Sequence, residues 1–268
     1  MTAGTTNGPR ASVREVADVA GRLVAAQKGA PRVQSTISDR DITVETGYAI
    51  QQNVMRLRRR AGEKLVGYKI GLTSVASQEL FSASQPISGY LWGQSVLGET
   101  ARISLAGMHA PLVEVEVAFV MRSALEGPRT TPEEILAATE KIVVVLEIVD
   151  SRWSGGAPGL GQIVADNSNA AAVVVGPRIS SLDQDLSAIR ADVSVGAQRL
   201  SGTGANVMGS PLHAVSWLVA QLSRQNERIE AGQIILSGTM TAPTPVRPGD
   251  QVSVNVGNLD TMVVSLLD

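Results

Sequence analysis

The segment Leu112-Val-Glu-Val-Glu-Val-Ala-Phe-Val-Met121 constrains this 268-residue chain more than any other. Side chains of a β-strand alternate between two faces. Val113, Val115, Val117, Phe119 and Met121 therefore form one wholly apolar face. Glu114 and Glu116 fall on the other, among Leu112, Ala118 and Val120. Two neighbouring carboxylates on one strand face repel each other. A solvent-facing edge would tolerate them. On this segment alone that edge is the slightly stronger reading; against it, the apolar companions suit a covered face. A second run, Ile142-Val-Val-Val-Leu-Glu-Ile-Val149, is apolar on both faces and reads as a strand buried on both sides. Glu147 sits near its end. A buried carboxylate must be protonated, paired or metal-bound, because leaving it bare costs several kcal/mol. Arg152 is one candidate partner.

The rest of the chain frames these strands. Ser12 and Glu15 form a capping box ahead of Val13, Val16, Ala20, Leu23 and Val24, and Gly29 and Pro31 end that helix. A second helix is expected from about Thr43 to Ala61, on a face of Val44, Tyr48 and Met55; its Arg56–Arg60 cluster reads as a solvated helix end. From Leu65 the texture changes to short β-type runs, at 65–72, 112–121, 142–149, 171–175, 189–195, 233–237, 251–256 and 261–267. Two helices interrupt them, opened by Thr131-Pro132 and Ser210-Pro211. Strands and helices do not alternate, which disfavours a doubly wound sheet. The expected class is α+β: a mobile tail over 1–10, a helical segment over 11–64, and a β-rich catalytic domain over 65–268.

Composition narrows the chemistry. There is no cysteine, and the histidines are two, His109 and His213. Thiolate sites and a three-histidine zinc site within one chain are excluded. His109 reads as a loop residue and His213 as structural. Three glutamates on two strands suit an oxygen-rich site for Mg²⁺ or Mn²⁺, which keeps open positions for a chelating substrate. The formal net charge of −2 argues against a nucleic-acid partner. No stretch reads as a membrane span or a signal-peptide core, so the expected location is cytoplasmic.

Glu114-x-Glu116, followed by Leu146-Glu-Ile-Val-Asp-Ser-Arg152, resembles the fumarylacetoacetate hydrolase superfamily. Within it, the chain is similar to the branch of 2-oxopent-4-enoate (2-hydroxypentadienoate) hydratases and 4-oxalocrotonate decarboxylases. Gly67-Tyr-Lys-Ile-Gly-Leu-Thr-Ser74, Val164-Ala-Asp-Asn167, Gly209-Ser-Pro-Leu212, Ala231-Gly-Gln-Ile-Ile-Leu-Ser-Gly238 and Pro248-Gly-Asp250 follow in the family's order. The resemblance implies that family's mixed β-rich fold and a metal held by Glu114, Glu116 and Glu147. It implies a small 2-oxo acid substrate, chelated through its carboxylate and keto oxygen, with the cation absorbing enolate charge. Lys69, in the matched Tyr-Lys-Ile-Gly, would supply a proton or a second positive charge.

The same resemblance gives Asp166 and Asn167 hydrogen-bonding roles beside the metal, although a plain turn also explains the pair. Ser237-Gly238-Thr239 would present backbone N–H groups to a substrate carboxylate, or form a turn. Arg152 would pair with the substrate or with Glu147. The branch's hydratases carry an acid where this chain has Ile87, in Pro86-Ile87-Ser88-Gly89. Gln162-Ile163 likewise stands in place of their Asp-Thr. Hydration needs a group to deliver water, and decarboxylation does not. Decarboxylation of 2-oxo-3-hexenedioate is therefore the expected activity, with the hydratase and a non-catalytic oligomeric partner as alternatives. Trp217 matches the hydratase pattern. The hydrolytic branch's N-terminal Glu–His pair has no counterpart, since no histidine precedes His109. The resemblance further implies a homo-oligomer, and an association with a sister hydratase. The Arg56–Arg60 cluster and Trp92 are expected at such a surface.

Overall fold

The computed structural model describes residues 11–34, 42–98, 102–179, 181–182 and 184–268. The expected tail, 1–10, lies outside them. Two helices lead, α1 (Val13–Gln27) and α2 (Val44–Arg60). Ser12 caps α1 through the anticipated box: its hydroxyl accepts from the Glu15 N–H, and the Glu15 carboxylate accepts from the Ser12 N–H at 2.7 Å. Thr43 caps α2.

The strands are β1 (Leu65–Gly71), β2 (Ile87–Trp92), β3 (Arg102–Ser104), β4 (Leu112–Met121), β5 (Thr139–Val149), β6 (Ala170–Arg178), β7 (Arg190–Val195), β8 (Gln198–Thr203), β9 (Ile234–Thr239), β10 (Thr244–Pro245), β11 (Gln251–Val256) and β12 (Met262–Leu267). Between them lie α3 (Val75–Leu80), α4 (Pro132–Ala138), α5 (Leu160–Ala165) and α6 (Pro211–Arg224). One sheet runs β2-β1-β9-β4-β5-β6, with β10 beside β4. It is antiparallel except where β1 meets β9. The second sheet runs β3-β12-β11-β7-β8.

The first sheet curls until its ends meet. Beyond β2 the chain reaches Val96, which bridges Val173 of β6; the Leu97 N–H donates to the Val173 carbonyl at 2.9 Å and the Val175 N–H to the Gly98 carbonyl at 3.1 Å. The result is a closed roll with an inside and an outside, and the period-two pattern sorts the side chains between them. Val113, Val115, Val117, Phe119 and Met121 face outward into the main core, against α6 and the valines of the second sheet. Burial of one such side chain contributes about 1.5–3 kcal/mol, so this face anchors the two sheets to each other. Leu91, Ala118, Val143, Val145, Val173 and Leu236 fill the inside.

The helical segment is tied to the roll through a separate apolar cluster, in which Val19, Leu23, Ile50 and Val54 pack against Trp153 and Ala165. The inward stripe of α2 is Gly47, Ile50, Gln51, Val54, Met55 and Arg58, so Met55 lies on it while Val44 and Tyr48 lie at its margin. Two surface expectations are corrected here. Trp92 is buried, and Arg58 is not a solvated helix end. The Arg58 guanidinium stacks 4.5 Å over the Trp92 ring and donates to Glu63 at 2.6 Å and to Gln27 at 3.1 Å. Arg56, Arg59 and Arg60 are exposed. Among the described residues no helix is long and apolar enough to cross a membrane.

Candidate metal centre and active site

At one end of the roll the apolar filling gives way to charge. Glu114 and Glu116 share the inward face of β4, as the alternation requires. Antiparallel pairing sets Glu114 directly opposite Glu147 of β5. Glu116, two residues along, is diagonal to Glu147. One carboxylate oxygen from each of the three lies within 4.8 Å of the others. Glu116 and Glu147 are fully buried and Glu114 is half-buried at the rim. On the other side of β9, Lys69 of β1 points to the same place. Its Nζ stands 3.1 Å from Glu147 Oε2 and donates to the Ser168 carbonyl at 3.2 Å.

Hydrogen bonds do not satisfy this cluster. The Gly238 N–H donates to Glu116 Oε2 at 2.6 Å, but Glu116 Oε1 and both oxygens of Glu147 lack a well-directed hydrogen-bond donor. Burial pushes all three carboxyls above the ordinary glutamate range, and the Lys69 charge opposes it. Glu147 rises to about 7, and Glu116 goes well above its ordinary value, helped by the neighbouring Glu147 charge. Burial alone would lower Lys69; the charges of Glu147, Glu114 and Glu116 outweigh it and raise its pKa, so the ammonium persists. Orphaned buried carboxylate oxygens facing one another are the donor set of a hard divalent cation, and the site fits Mg²⁺ or Mn²⁺ on those grounds.

The acceptor for Lys69 comes from an unusual turn. Asn167, Ser168 and Asn169 all have positive φ, at 57°, 54° and 57°. Left-handed conformation costs roughly 1–2 kcal/mol per ordinary residue, less for asparagine. Three contacts hold it. The Asn167 amide mimics a strand neighbour, accepting from the Tyr90 N–H at 2.7 Å and donating to the Tyr90 carbonyl at 2.9 Å. The Asp150 N–H donates to the Asn169 carbonyl at 2.9 Å. Arg152 and Asp166 fix the flank: the Arg152 Nε and its backbone N–H both donate to the Asp166 carboxylate at 2.6 Å, and Nη2 donates to the Asp166 carbonyl at 2.7 Å. Burial pushes Asp166 up to about 6 against the pull of Arg152. Glycines make room for the turn, since a Cβ on Gly89 would lie 2.7 Å from the Asn167 carbonyl oxygen and one on Gly71 would lie 2.6 Å from Ser168 Oγ.

The anticipated residues thus divide. Glu114, Glu116, Glu147 and Lys69 converge. Arg152 does not pair with Glu147; Lys69 takes that place, and Arg152 is committed to Asp166. The Gly238 N–H is aimed at Glu116 rather than at open space. Ser237 Oγ donates to the Val117 carbonyl at 2.7 Å and Thr239 Oγ1 to the Thr241 carbonyl at 2.8 Å. Ile87 lies on the inward side of β2, two residues from Gly89, which pairs with Lys69. It belongs to an apolar cluster with Ile163, Val164, Leu160 and Phe81. His213 bonds the Met208 carbonyl, and the His109 N–H donates to Asp150. Ser168 and Gln51 were not anticipated. Gln51 donates to the Ser88 and Val164 carbonyls at 2.8 and 3.0 Å, tying α2 to the wall of the site. A polar residue on the apolar stripe of a helix was the only sequence signal for it.

A family model described as fumarylacetoacetate (FAA) hydrolase C-terminal matches residues 46–266. The 2-hydroxyhexa-2,4-dienoate hydratase of Comamonas testosteroni is 34% identical over 85% of this chain and 88% of its own length. The 4-oxalocrotonate decarboxylase of Pseudomonas sp. (strain CF600) is 31% identical over 82% of this chain and 84% of its own. Among solved structures, 4-oxalocrotonate decarboxylase from Pseudomonas putida G7, complexed with magnesium and adipate, superposes with a TM-score of 0.90 and 28% identity, covering 97% of this chain and 100% of that one.

Proposed function

Because the chain belongs to the fumarylacetoacetate hydrolase C-terminal family, we propose that it is a divalent-metal-dependent lyase of small unsaturated 2-oxo acids, and that it decarboxylates 2-oxo-3-hexenedioate or a close relative. The observation that carries this reading is the meeting of Glu114, Glu116 and Glu147 beside Lys69 at one end of the roll. These three carboxylates would hold Mg²⁺ or Mn²⁺, and the bound cation would supply Lewis-acid polarisation of the 2-oxo acid.

The chain's own groups supply the rest. Lys69, kept charged by three carboxylates, faces the position where negative charge builds on the C2 oxygen. As the C5–C6 bond breaks, its electron pair forms C4=C5, the former C3=C4 pair moves to C2–C3, and the keto π pair settles on that oxygen. Carbon dioxide departs, and the Lys69 ammonium gives the dienolate its proton. The Ser168 carbonyl orients Nζ; Asp166, Arg152 and Asn167 act at one remove, by fixing the turn that carries it. Ser237 and Gly238 hold the β4–β9 seam and the Glu116 carboxylate, and Thr239 braces the exit of β9. Ile87 and its apolar neighbours would wall the departing carboxylate, with an alkyl side chain in the place of a water-activating acid, which favours decarboxylation.

The hydratase remains the second reading, favoured by the 34% identity to hydratases against 31% to a decarboxylase. Incubation of the Mg²⁺-loaded protein with 2-oxo-3-hexenedioate and, separately, with 2-hydroxypentadienoate decides between them. Carbon dioxide from the first supports the proposal. Conversion of only the second, to 4-hydroxy-2-oxopentanoate, overturns it. We extend the proposal to a cytoplasmic homo-oligomer able to associate with a sister hydratase. A 28.0 kDa particle by light scattering at working concentration would contradict the homo-oligomer.

A further inference from the structure

A second cavity, of about 570 Å³, lies outside the roll, between the end of α1, the end of β2 and the start of β6. Its floor is Ala170, Ala171 and Ala172, whose short side chains leave the space. Four cationic residues reach it, and two of them, Arg58 and Arg152, are held by close hydrogen bonds. Arg58 is bonded to Glu63 and Gln27, Arg152 to Asp166 and main-chain carbonyls, and Lys28 stands 3.7 Å from Glu63. Arg32 differs. Its Nε and Nη2 are shielded from water and have no hydrogen-bond partner among the described residues. Asp150 Oδ1 stands 3.7 Å from Nη2, within ion-pair range but beyond hydrogen-bond reach. The Asp150 oxygens already accept the N–H groups of His109 and Ala110 at 2.9–3.1 Å.

Desolvated donors without acceptors are costly, and a native fold rarely leaves them so. Nε and Nη2 are also the side-on edge of the guanidinium, whose two parallel N–H bonds match the two oxygens of a carboxylate. The volume falls within the range of small-molecule sites. We propose that this cavity is a second ligand site, distinct from the three-glutamate centre, for a small organic carboxylate. The carboxylate lies across Nε and Nη2 of Arg32, the Lys28 ammonium adds charge at the entrance, and the apolar body rests on Ala170–Ala172. Inorganic phosphate offers the same oxygen edge, but not a body for the alanine floor.

Calorimetric titration of benzoate and of inorganic phosphate into the Mg²⁺-loaded protein tests this. Benzoate should bind to the unmodified protein and to Glu116→Gln alike, and more tightly than phosphate. Arg32→Met should weaken it by about 10–100-fold, the loss expected for charge-assisted hydrogen bonds. Its melting temperature should not fall, because the uncompensated guanidinium is gone. Arg32→Lys keeps the charge without the fork, should weaken benzoate to an intermediate degree, and serves should the methionine variant fail to fold. Benzoate binding that vanishes in Glu116→Gln belongs to the metal centre and overturns the proposal. So does binding indifferent to Arg32, tighter binding of phosphate, or no binding together with a lowered melting temperature in Arg32→Met, which would leave Arg32 a partner of Asp150 alone.

Discussion

Lys69 and the three glutamates balance each other. Three carboxylates in one buried space could not all ionise without a cation, and the one buried lysine among them supplies only one charge. Lys69→Met should lower turnover by ~10²–10⁴-fold, the range for loss of a positioned proton donor. Circular dichroism of the Mg²⁺-loaded variant should show the fold intact. The raised carboxyl pKa values carry a second consequence. A metal ligand must be deprotonated, so at neutral pH the cation has to displace protons. Glu147 at about 7 and Glu116 well above its ordinary value are protonated on the acid side. Mg²⁺ affinity should therefore fall as pH is lowered through about 7, and calorimetry in buffers of different ionisation enthalpy should detect proton release. Affinity flat from pH 6 to 8 would show that the carboxylates are already ionised without metal.

At the scale of elements, the site depends on a left-handed turn fitted against two glycines. Gly89→Ala puts a methyl 2.7 Å from the Asn167 carbonyl oxygen and 3.2 Å from Lys69 Cγ. The turn or β2 must shift, at a cost of about 1–3 kcal/mol for overpacking. A lowered urea midpoint together with a larger loss of kcat than of KM is expected, because Lys69 loses its orientation. Sequence alone revealed β4 and β5, since unbroken alternation and an eight-residue apolar run have few other readings. β2, β8 and the short β3 and β10 were missed. Ile87-Ser-Gly-Tyr-Leu-Trp92 mixes small and aromatic residues, and its pairing with β1 comes from tertiary context. Gln198-Arg-Leu-Ser-Gly-Thr203 is an edge strand whose polar character hides it. α3 and α5, six residues each, are too short for a helical period to register. Asn167-Ser-Asn169 read as ordinary turn chemistry, because nothing local says that three successive residues will be left-handed. Neither partner expected for Arg152, the substrate or Glu147, names Asp166, for a related reason: Asp166 meets it only after α5 has brought the chain back.

The whole molecule carries its site at the expense of its own stability when no metal is bound. The sign follows from linkage. A carboxyl whose folded-state pKa is raised binds its proton more tightly in the native state. Its stabilising contribution is then fullest below the unfolded value of 4.5 and is lost as pH rises through the raised one, about 7 for Glu147. Metal-free protein should accordingly lose stability from about pH 4.5 towards 7. A bound cation reverses this, because a ligand held only by the native state stabilises it by about 2.7 kcal/mol at a concentration one hundred times its Kd. Glu116→Gln separates the two effects. The glutamine oxygen can still accept from the Gly238 N–H, and one of three mutually repelling carboxylates is gone. The metal-free variant should melt above the metal-free parent at pH 7, show a shallower pH slope, and gain little from added Mg²⁺. Thermal melts with and without chelator measure all three. A variant that melts lower without metal, yet gains as much from Mg²⁺ as the parent, would mean that Glu116 serves the packing of the roll rather than the cation.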